Sequence, residues 1–238
     1  GETEEEAVRL AASMYRQGVT VGLFAFTPLP GTRLAKRQPP GLNPYRRIQL
    51  CCYLLKRAFL GQAAGGPPSF QFSSGRLTGI SLPRPLDEMA ALWGEAFRTS
   101  GCPGCNRPYY NERPGQIPYN YPRPLTPAEL AATCAGARID PAMVVDHHLL
   151  DNGPVFNTIL VDDAQTVLGC SPDLQAIGDL HVAVAGRYQS PAPGDPDIEV
   201  RMFAPGLGVA EDPVTGSLNA ILAQWLIDAG HMPAQYLA

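Results

Sequence analysis

Residues 211–217 (EDPVTGS) and the apolar segment after them constrain the fold of this chain most strongly. Apolar side chains recur at helical spacing from residue 217 to residue 229, namely Leu218, Ile221, Leu222, Trp225, Leu226 and Ala229. Ala220, Ala223 and Ile227 make the opposite face apolar as well, and Gly230 is a typical stop signal. A helix that is apolar on both faces is normally buried among other elements. We therefore predict a central helix with the surrounding chain wrapped around it.

Ligand binding and proton transfer are expected at the N-terminus of this helix. The first N–H groups of a helix have no acceptor within it, and the positive end of the helix dipole lies there, so this position attracts a carboxylate or a phosphate. Gly216 lets a ligand approach the backbone closely. Asp212 stands just before the helix, where it could move a proton. The same residue types also suit a structural role, in which Asp212 and Thr215 only cap a core helix.

Two stretches, residues 201–206 (RMFAPG) and 209–217 (VAEDPVTGS), resemble the PhzF-like phenazine biosynthesis isomerase family. The resemblance runs back through residues 150–154 to about residue 131 and forward to the last residue. It implies the diaminopimelate epimerase fold, in which two similar α/β halves each wrap a sheet around a central helix. Residues 128–238 would be the C-terminal half-domain of that fold without its last strands. Strands are predicted over residues 144–150, 156–161, 181–185 and 198–203.

The resemblance also implies a function, the cofactor-independent isomerisation of a small carboxylate by proton transfer. Asp212 would assist the proton transfer, and Thr215, Gly216 and Ser217 would hold the substrate carboxylate. The family also uses a glutamate base and a histidine from its N-terminal half, for which this chain has no matching motif. We therefore expect the isomerase to be incomplete in this chain.

Charge divides the chain into two parts. Residues 1–128 carry 15 Lys and Arg against 8 Asp and Glu, a net charge of +7, whereas residues 129–238 carry 3 against 14, a net charge of −11. Such an asymmetry suggests two segments of different origin. A proline-rich stretch at residues 122–127 is typical of a linker. We predict one domain over residues 1–127 and a second over residues 128–238.

The first part carries a second resemblance. Residues 26–32 (FTPLPGT), 45–50 (YRRIQL) and 94–107 (GEAFRTSGCPGCNR) resemble the C-terminal part of a biotin-synthase-like radical SAM protein. The C-x-x-x-C-x-x-C cluster motif of that family is absent from this chain. A helix predicted over residues 2–17, with Thr3 as its cap, and a buried strand over residues 19–26 suit one α/β unit of a partial barrel. A loop-rich segment follows.

Cysteine spacing offers an alternative function. Cys102 and Cys105 have the C-x-x-C spacing of half a metal site, for zinc or an iron–sulfur cluster, and equally suit a loop with two unpaired cysteines. As ligands they would make the chain a radical SAM-related metal-binding accessory region. A third reading is a fusion product without activity. Cys51 and Cys52 are predicted to be packing residues of a helix.

Adjacent histidines in the second part do not suggest a further metal site. His147 and His148 would alternate across a strand and could not both face one metal, so we interpret them as structural.

Composition bounds the expected partners and location. A net charge of −4 does not indicate binding to nucleic acid. The proline-rich Arg/Tyr stretch at residues 98–123 is interpreted as a surface loop. No apolar run is long enough to span a bilayer. The acidic start is no signal peptide, and the six cysteines show no secreted disulfide framework, which together predict a cytoplasmic protein. The expected partners are a small carboxylate and a second copy of the chain in a homodimer.

Overall fold

The computed structural model describes residues 2–61, 67–82, 94–98 and 118–238. These residues form two compact units. The first contains the described residues up to residue 98 together with Tyr119–Tyr121, and the second contains Pro118 and Pro122–Ala238. The domain boundary between residues 127 and 128 stays a prediction.

Among the described residues of the first unit, two complete helices and a hairpin are the main elements. Its elements are α1 (Glu4–Arg16), α2 (Leu42–Phe59), β1 (Ser69–Ser73) and β2 (Arg76–Ser81), with β1 and β2 antiparallel. The helix predicted at the start is confirmed, and Thr3 caps it in a capping box with Glu6. The Glu4 carboxylate ties the three parts together, because it accepts hydrogen bonds from Arg47 Nη2 (2.6 Å) and from the backbone N–H of Leu77 (3.0 Å).

The strand predicted over residues 19–26 is wrong. No strand forms there, and Val19 and Phe24 keep 47% and 53% of their surface exposed. A strand needs a neighbour for its backbone hydrogen bonds, and within the described part of this unit β1 and β2 pair only with each other. Side chains that favour strands do not make one without a partner, since strand preference depends on context. The described residues therefore do not form the α/β barrel unit that was expected.

The second unit is a five-stranded mixed sheet with helices on both faces. Its elements are α3 (Pro127–Ala137), β3 (Val144–Asp151), β4 (Val155–Val161), α4 (Ala164–Leu168), α5 (Leu174–Ile177), β5 (Val182–Arg187), β6 (Ile198–Ala204), β7 (Val209–Asp212) and α6 (Gly216–Asp228). The strand order is β3-β4-β5-β6-β7, and β4 and β5 are parallel while the other neighbours are antiparallel. The α/β class is confirmed, and the four predicted strands lie within two residues of their observed ends.

Two hydrophobic cores lie on opposite faces of this sheet. Helix α6 covers one face, where its residues Leu218, Ile221, Leu222, Trp225 and Leu226 pack with Leu150, Phe156, Leu160, Ala183, Ala185, Ile198, Met202, Ala204 and Met232. Helices α3, α4 and α5 contribute to the core on the other face. Among the described helices, none combines the length and the apolarity that crossing a membrane requires.

The predicted central helix is observed as α6, with a difference in its burial. Trp225 and Leu226 are 2% and 0% exposed, as expected for a helix packed on a sheet. Ala220 on the opposite face is exposed, and Ala223 and Ile227 are only half-buried. The helix is therefore enclosed on one side by the described chain. Gly230 ends it with φ of +75°, the left-handed conformation that glycine adopts without steric cost.

The predicted linker is partly packed rather than exposed. Pro122 and Leu125 are buried, and the Leu149 N–H of strand β3 donates to the carbonyl oxygen of Arg123 (3.0 Å). Thr126 then opens α3 with a capping box in which Glu129 is the third helical residue. Arg123 forms an ion pair with the same Glu129 carboxylate (2.7 Å). The proline content predicted a linker. The tertiary contacts were missed because local composition does not reveal them.

Candidate functional site

The start of α6 is built around Thr215, which adopts an uncommon backbone conformation. Its φ of +31° and ψ of +59° are left-handed, a region that non-glycine residues rarely occupy. Thr215 is 7% exposed, and its side chain makes no capping hydrogen bond to the helix. Thr126 in α3 shows the contrast, since its hydroxyl accepts the N–H of Glu129 (3.3 Å). The threonine side chain therefore leaves the first N–H groups of α6 uncapped.

Asp212 braces the turn that precedes the helix. Its Oδ1 accepts the backbone N–H groups of Val214 (3.2 Å) and Thr215 (3.4 Å). These hydrogen bonds, that of Val214 first, lower the pKa of the Asp212 carboxyl below its ordinary value. Asp212 is thus ionised at neutral pH, and its hydrogen bonds make it a weaker base than an ordinary carboxylate.

Gly216 and Ser217 lie at the exposed surface of the helix start. A Cβ atom added to Gly216 would meet no atom within 4 Å, so the space in front of it is open. The side chain of Asn152 reaches this turn, where Nδ2 donates to the carbonyl oxygen of Ser217 (2.8 Å). Asn152 lies in the loop between β3 and β4, and this bond fixes that loop against the start of α6.

An ion pair between β6 and β7 fixes the strand residues that precede the start of α6. Arg201 Nε and Nη2 contact the two carboxylate oxygens of Glu211 at 2.7 and 2.8 Å. Arg201 also donates to the carbonyl oxygens of Val167 and Cys170. The hydrogen bond from Arg201 lowers the pKa of Glu211, which keeps the pair charged. Sequence reasoning gave these residues no structural role, because an ion pair across two strands is visible only once the strands are paired.

A cavity of about 360 Å³ lies beside the helix start. Its lining residues are Pro196, Ile198, Glu199, Val200, Met202, Asp212, Pro213, Val214, Thr215, Asn219 and Ala238. The structure therefore brings Asp212 and Thr215 together in one cavity, whereas Gly216 and Ser217 are not among its lining residues. The catalytic role of Asp212 and the substrate-binding roles of Thr215, Gly216 and Ser217 stay predictions.

Two polar residues of this cavity were missed at the sequence level. Asn219 Nδ2 donates to the carbonyl oxygen of Val214 (3.1 Å), and its buried Oδ1 has no partner among the described residues. Glu199 accepts a hydrogen bond from the hydroxyl of Tyr188 (2.7 Å). Asn219 lies one helical turn after Thr215, a spacing that could have identified it. Glu199 carried no comparable signal.

The histidines of the second unit occupy structural positions, as predicted for His147 and His148. His147 Nδ1 accepts the backbone N–H of Leu125 (3.1 Å), while His148 packs on the Trp225 ring, 5.0 Å between centroids. His231 Nε2 lies 2.8 Å from an oxygen of Asp146. In the described ranges, no three His, Cys, Asp or Glu side chains are spaced to hold a metal ion.

The cysteines fall into two groups. Cys102 and Cys105 lie outside the described residues, so the zinc or iron–sulfur site there stays a prediction. Cys51 and Cys52 are buried in α2, as predicted for packing residues. Burial raises the pKa of each thiol to about 12, so both are inert at neutral pH.

The second unit is an α/β domain in which one helix packs on a mixed sheet. An Asp-Pro-x-Thr-Gly turn leads into that helix. The model of the PhzC-PhzF family, described as phenazine biosynthesis-like protein, matches residues 119–237. The chain therefore belongs to the phenazine biosynthesis-like family.

Individual relatives match shorter parts of the chain. The uncharacterized isomerase YddE of Escherichia coli K12 is 35% identical over 66 residues, which cover 26% of this chain and 22% of YddE. YddE of Salmonella typhimurium is 45% identical over 40 residues, 17% of this chain and 14% of the relative. The matched segments thus span less than a quarter of these curated relatives. A crystal structure of a PhzF family protein from Enterococcus faecalis is 25% identical and covers 52% of this chain and 40% of its own, with a TM-score of 0.36.

Proposed function

We propose that the second unit is one lobe of a cofactor-independent isomerase that moves a proton on a small carboxylate. Support comes from membership of the phenazine biosynthesis-like family and from two relatives that are named as isomerases. The lobe would be the C-terminal half-domain of a diaminopimelate epimerase-like fold, in which α6 is the central helix.

The observation that carries this proposal is the uncapped start of α6 beside an ionised Asp212. The left-handed Thr215 turns its side chain away from the helix N–H groups. Left-handed backbone at a non-glycine residue is costly and clusters at functional sites. The first-turn N–H groups together with the helix dipole attract an anion, and the dipole alone contributes about 0.3–1 kcal/mol.

Each residue then has a defined task. The N–H groups of Gly216 and Ser217 bind the substrate carboxylate, and Thr215 sets the direction of the turn. Asp212 assists the proton transfer as a carboxylate, and its lowered pKa means that a proton it accepts is released again readily. Ile198, Val200 and Met202 form the apolar part of the neighbouring cavity. A glutamate base and a histidine would come from outside this lobe, so the lobe alone should bind weakly and turn over little or nothing.

Amide NMR tests the carboxylate site. Titration of the labelled chain with benzoate should shift the amides of Gly216 and Ser217 first, whereas neutral benzamide should not. Ser217→Pro removes one N–H donor at a helix position that tolerates proline, and should weaken the response severalfold. Ser217→Ala keeps the N–H and serves as the matched control.

Two outcomes would count against the proposal. Shifts that cluster away from these two amides would exclude the anion site. Rapid isomerase turnover by this chain alone would show that no second lobe is needed.

The remaining expectations of partner and location are part of the same proposal. A second copy of the chain is the expected protein partner, and a cytoplasmic location is expected from the cysteine usage. The radical SAM resemblance of residues 1–127 and the fusion reading stay predictions.

A further inference from the structure

A second cavity, open to solvent and of about 730 Å³, lies in the first unit, and its lining includes no residue assigned to the isomerase site. It is lined by Phe26, Thr27, Leu29, Thr32, Arg33, Leu34 and Arg37. Its volume falls within the range of about 300–1,000 Å³ that small-molecule sites occupy. The lining combines three apolar side chains with two threonines and two arginines.

A series of tight turns shapes this cavity. The N–H and the hydroxyl of Thr32 both donate to the carbonyl oxygen of Leu29 (3.3 and 2.8 Å). The N–H of Ala35 then donates to Thr32 and that of Arg37 to Leu34. These turns hold the segment in a defined curl although it contains neither helix nor strand.

Apolar side chains in this curl stay accessible. Leu29 and Leu34 are 59% and 51% exposed, and Phe26 is 37% exposed. Exposed apolar side chains are normal when single, but a contiguous group with a polar rim is typical of a binding site. Burying such a group under a ligand stabilises the complex in proportion to the apolar area removed from water.

The charges around the cavity favour a ligand with an anionic group. Arg33 and Arg37 line it, and neither forms an ion pair with a described residue. The sequence from residue 7 to residue 86 contains eleven Lys and Arg and no Asp or Glu, so no acidic residue of that stretch competes for these guanidinium groups. Guanidinium binds planar carboxylate and phosphate groups bidentately.

We infer that this cavity binds a small organic anion with an apolar body and a carboxylate, sulfonate or phosphate group. The apolar body lies against Phe26, Leu29 and Leu34. The anionic group is bound by Arg33 and Arg37. A macromolecular partner is disfavoured, because the cavity has the volume of a small ligand and a protein interface requires about 800 Å² on each side.

A pair of fluorescent probes tests both halves of this inference on the full chain. The anionic probe is 8-anilinonaphthalene-1-sulfonate, and the neutral probe of the same shape is N-phenyl-1-naphthylamine. The sulfonate should bind with one-to-one stoichiometry, and Arg33→Gln with Arg37→Gln should raise its dissociation constant at least tenfold. The neutral probe should bind the wild type and this variant equally.

Lys36→Gln is the matched control. Lys36 is exposed in the same curl and carries the same charge, but it does not line the cavity. Its removal should change the dissociation constant of the sulfonate less than twofold. Leu34→Asn, at an exposed position whose change should leave the fold intact, should weaken both probes.

Three results would overturn the inference. The first is an absence of saturable binding by the wild-type chain. The second is an equal loss of sulfonate affinity in Lys36→Gln and in the double arginine variant, which would indicate unspecific attraction to a basic surface. The third is unchanged sulfonate binding in the double arginine variant, which would place the probe elsewhere.

Discussion

At the residue scale, the site depends on a single strained position and on the carboxylate that braces it. Thr215 is held left-handed although threonine carries a branched Cβ, which makes this conformation unusual. Asp212 stabilises the turn by accepting the N–H groups of Val214 and Thr215. The two residues therefore act as a unit, and the geometry of the helix start should respond to a change at either.

Asp212→Asn tests this bracing through its dependence on pH. The folded-state pKa of Asp212 is lowered, so its contribution to stability is fully present above the unfolded-state pKa and is lost as pH falls through the folded value. The melting temperature of the wild type should therefore exceed that of the variant at neutral pH, and the gap should close in acid. Melting curves from neutral to acidic pH measure it. A gap that widens in acid would show that Asp212 is not stabilised as the carboxylate.

At the element scale, the sequence predicted those features that depend on neighbours along the chain. Helix α6, its stop at Gly230 and the Thr3 cap of α1 follow from short-range patterns, and all three are observed. The strand expected over residues 19–26 failed because it required a partner that local sequence does not reveal. The sequence did not reveal that Asn219 and Glu199 line the cavity, because β6 and α6 come together there only in the folded chain.

Glu129 offers a test of the ion pair at the start of α3. The hydrogen bond from Arg123 and the N–H of Thr126 lower the pKa of Glu129 from 4.5 to about 2. Glu129→Gln keeps a side chain that a capping box accepts but removes the charge paired with Arg123, so it should destabilise the second unit by about 0.2–1 kcal/mol at neutral pH, the scale of a partly exposed ion pair. Because the folded pKa is the lower one, the difference should fade between pH 4.5 and pH 2.

Urea unfolding of both proteins at several pH values measures the effect of Glu129→Gln. Arg9→Gln is a suitable control, since Arg9 forms an exposed ion pair with Glu5 within α1 and such pairs contribute little. An equal loss in both variants would argue against a special role for the Glu129 carboxylate.

At the scale of the whole molecule, the main feature is the separation of charge along the chain. One half carries +7 and the other −11, although the pI of the whole sequence is about 5.6. Fields of this kind act over the Debye length, which is about 30 Å at 0.01 M salt and about 3 Å at 1 M. Two copies of the chain can therefore attract each other through oppositely charged halves at low salt, and the attraction is screened as salt rises.

This charge separation predicts self-association that depends on ionic strength. At 0.01 M salt the sedimentation coefficient should rise with protein concentration, and at 0.5 M salt it should return to that of a 25.5 kDa monomer. An apolar interface would behave in the opposite way, because salts that are excluded from protein surfaces strengthen burial. A sodium sulfate series therefore serves as the second arm. A dimer that persists unchanged at high salt would show that the homodimer is held by apolar contacts and not by the two charged halves.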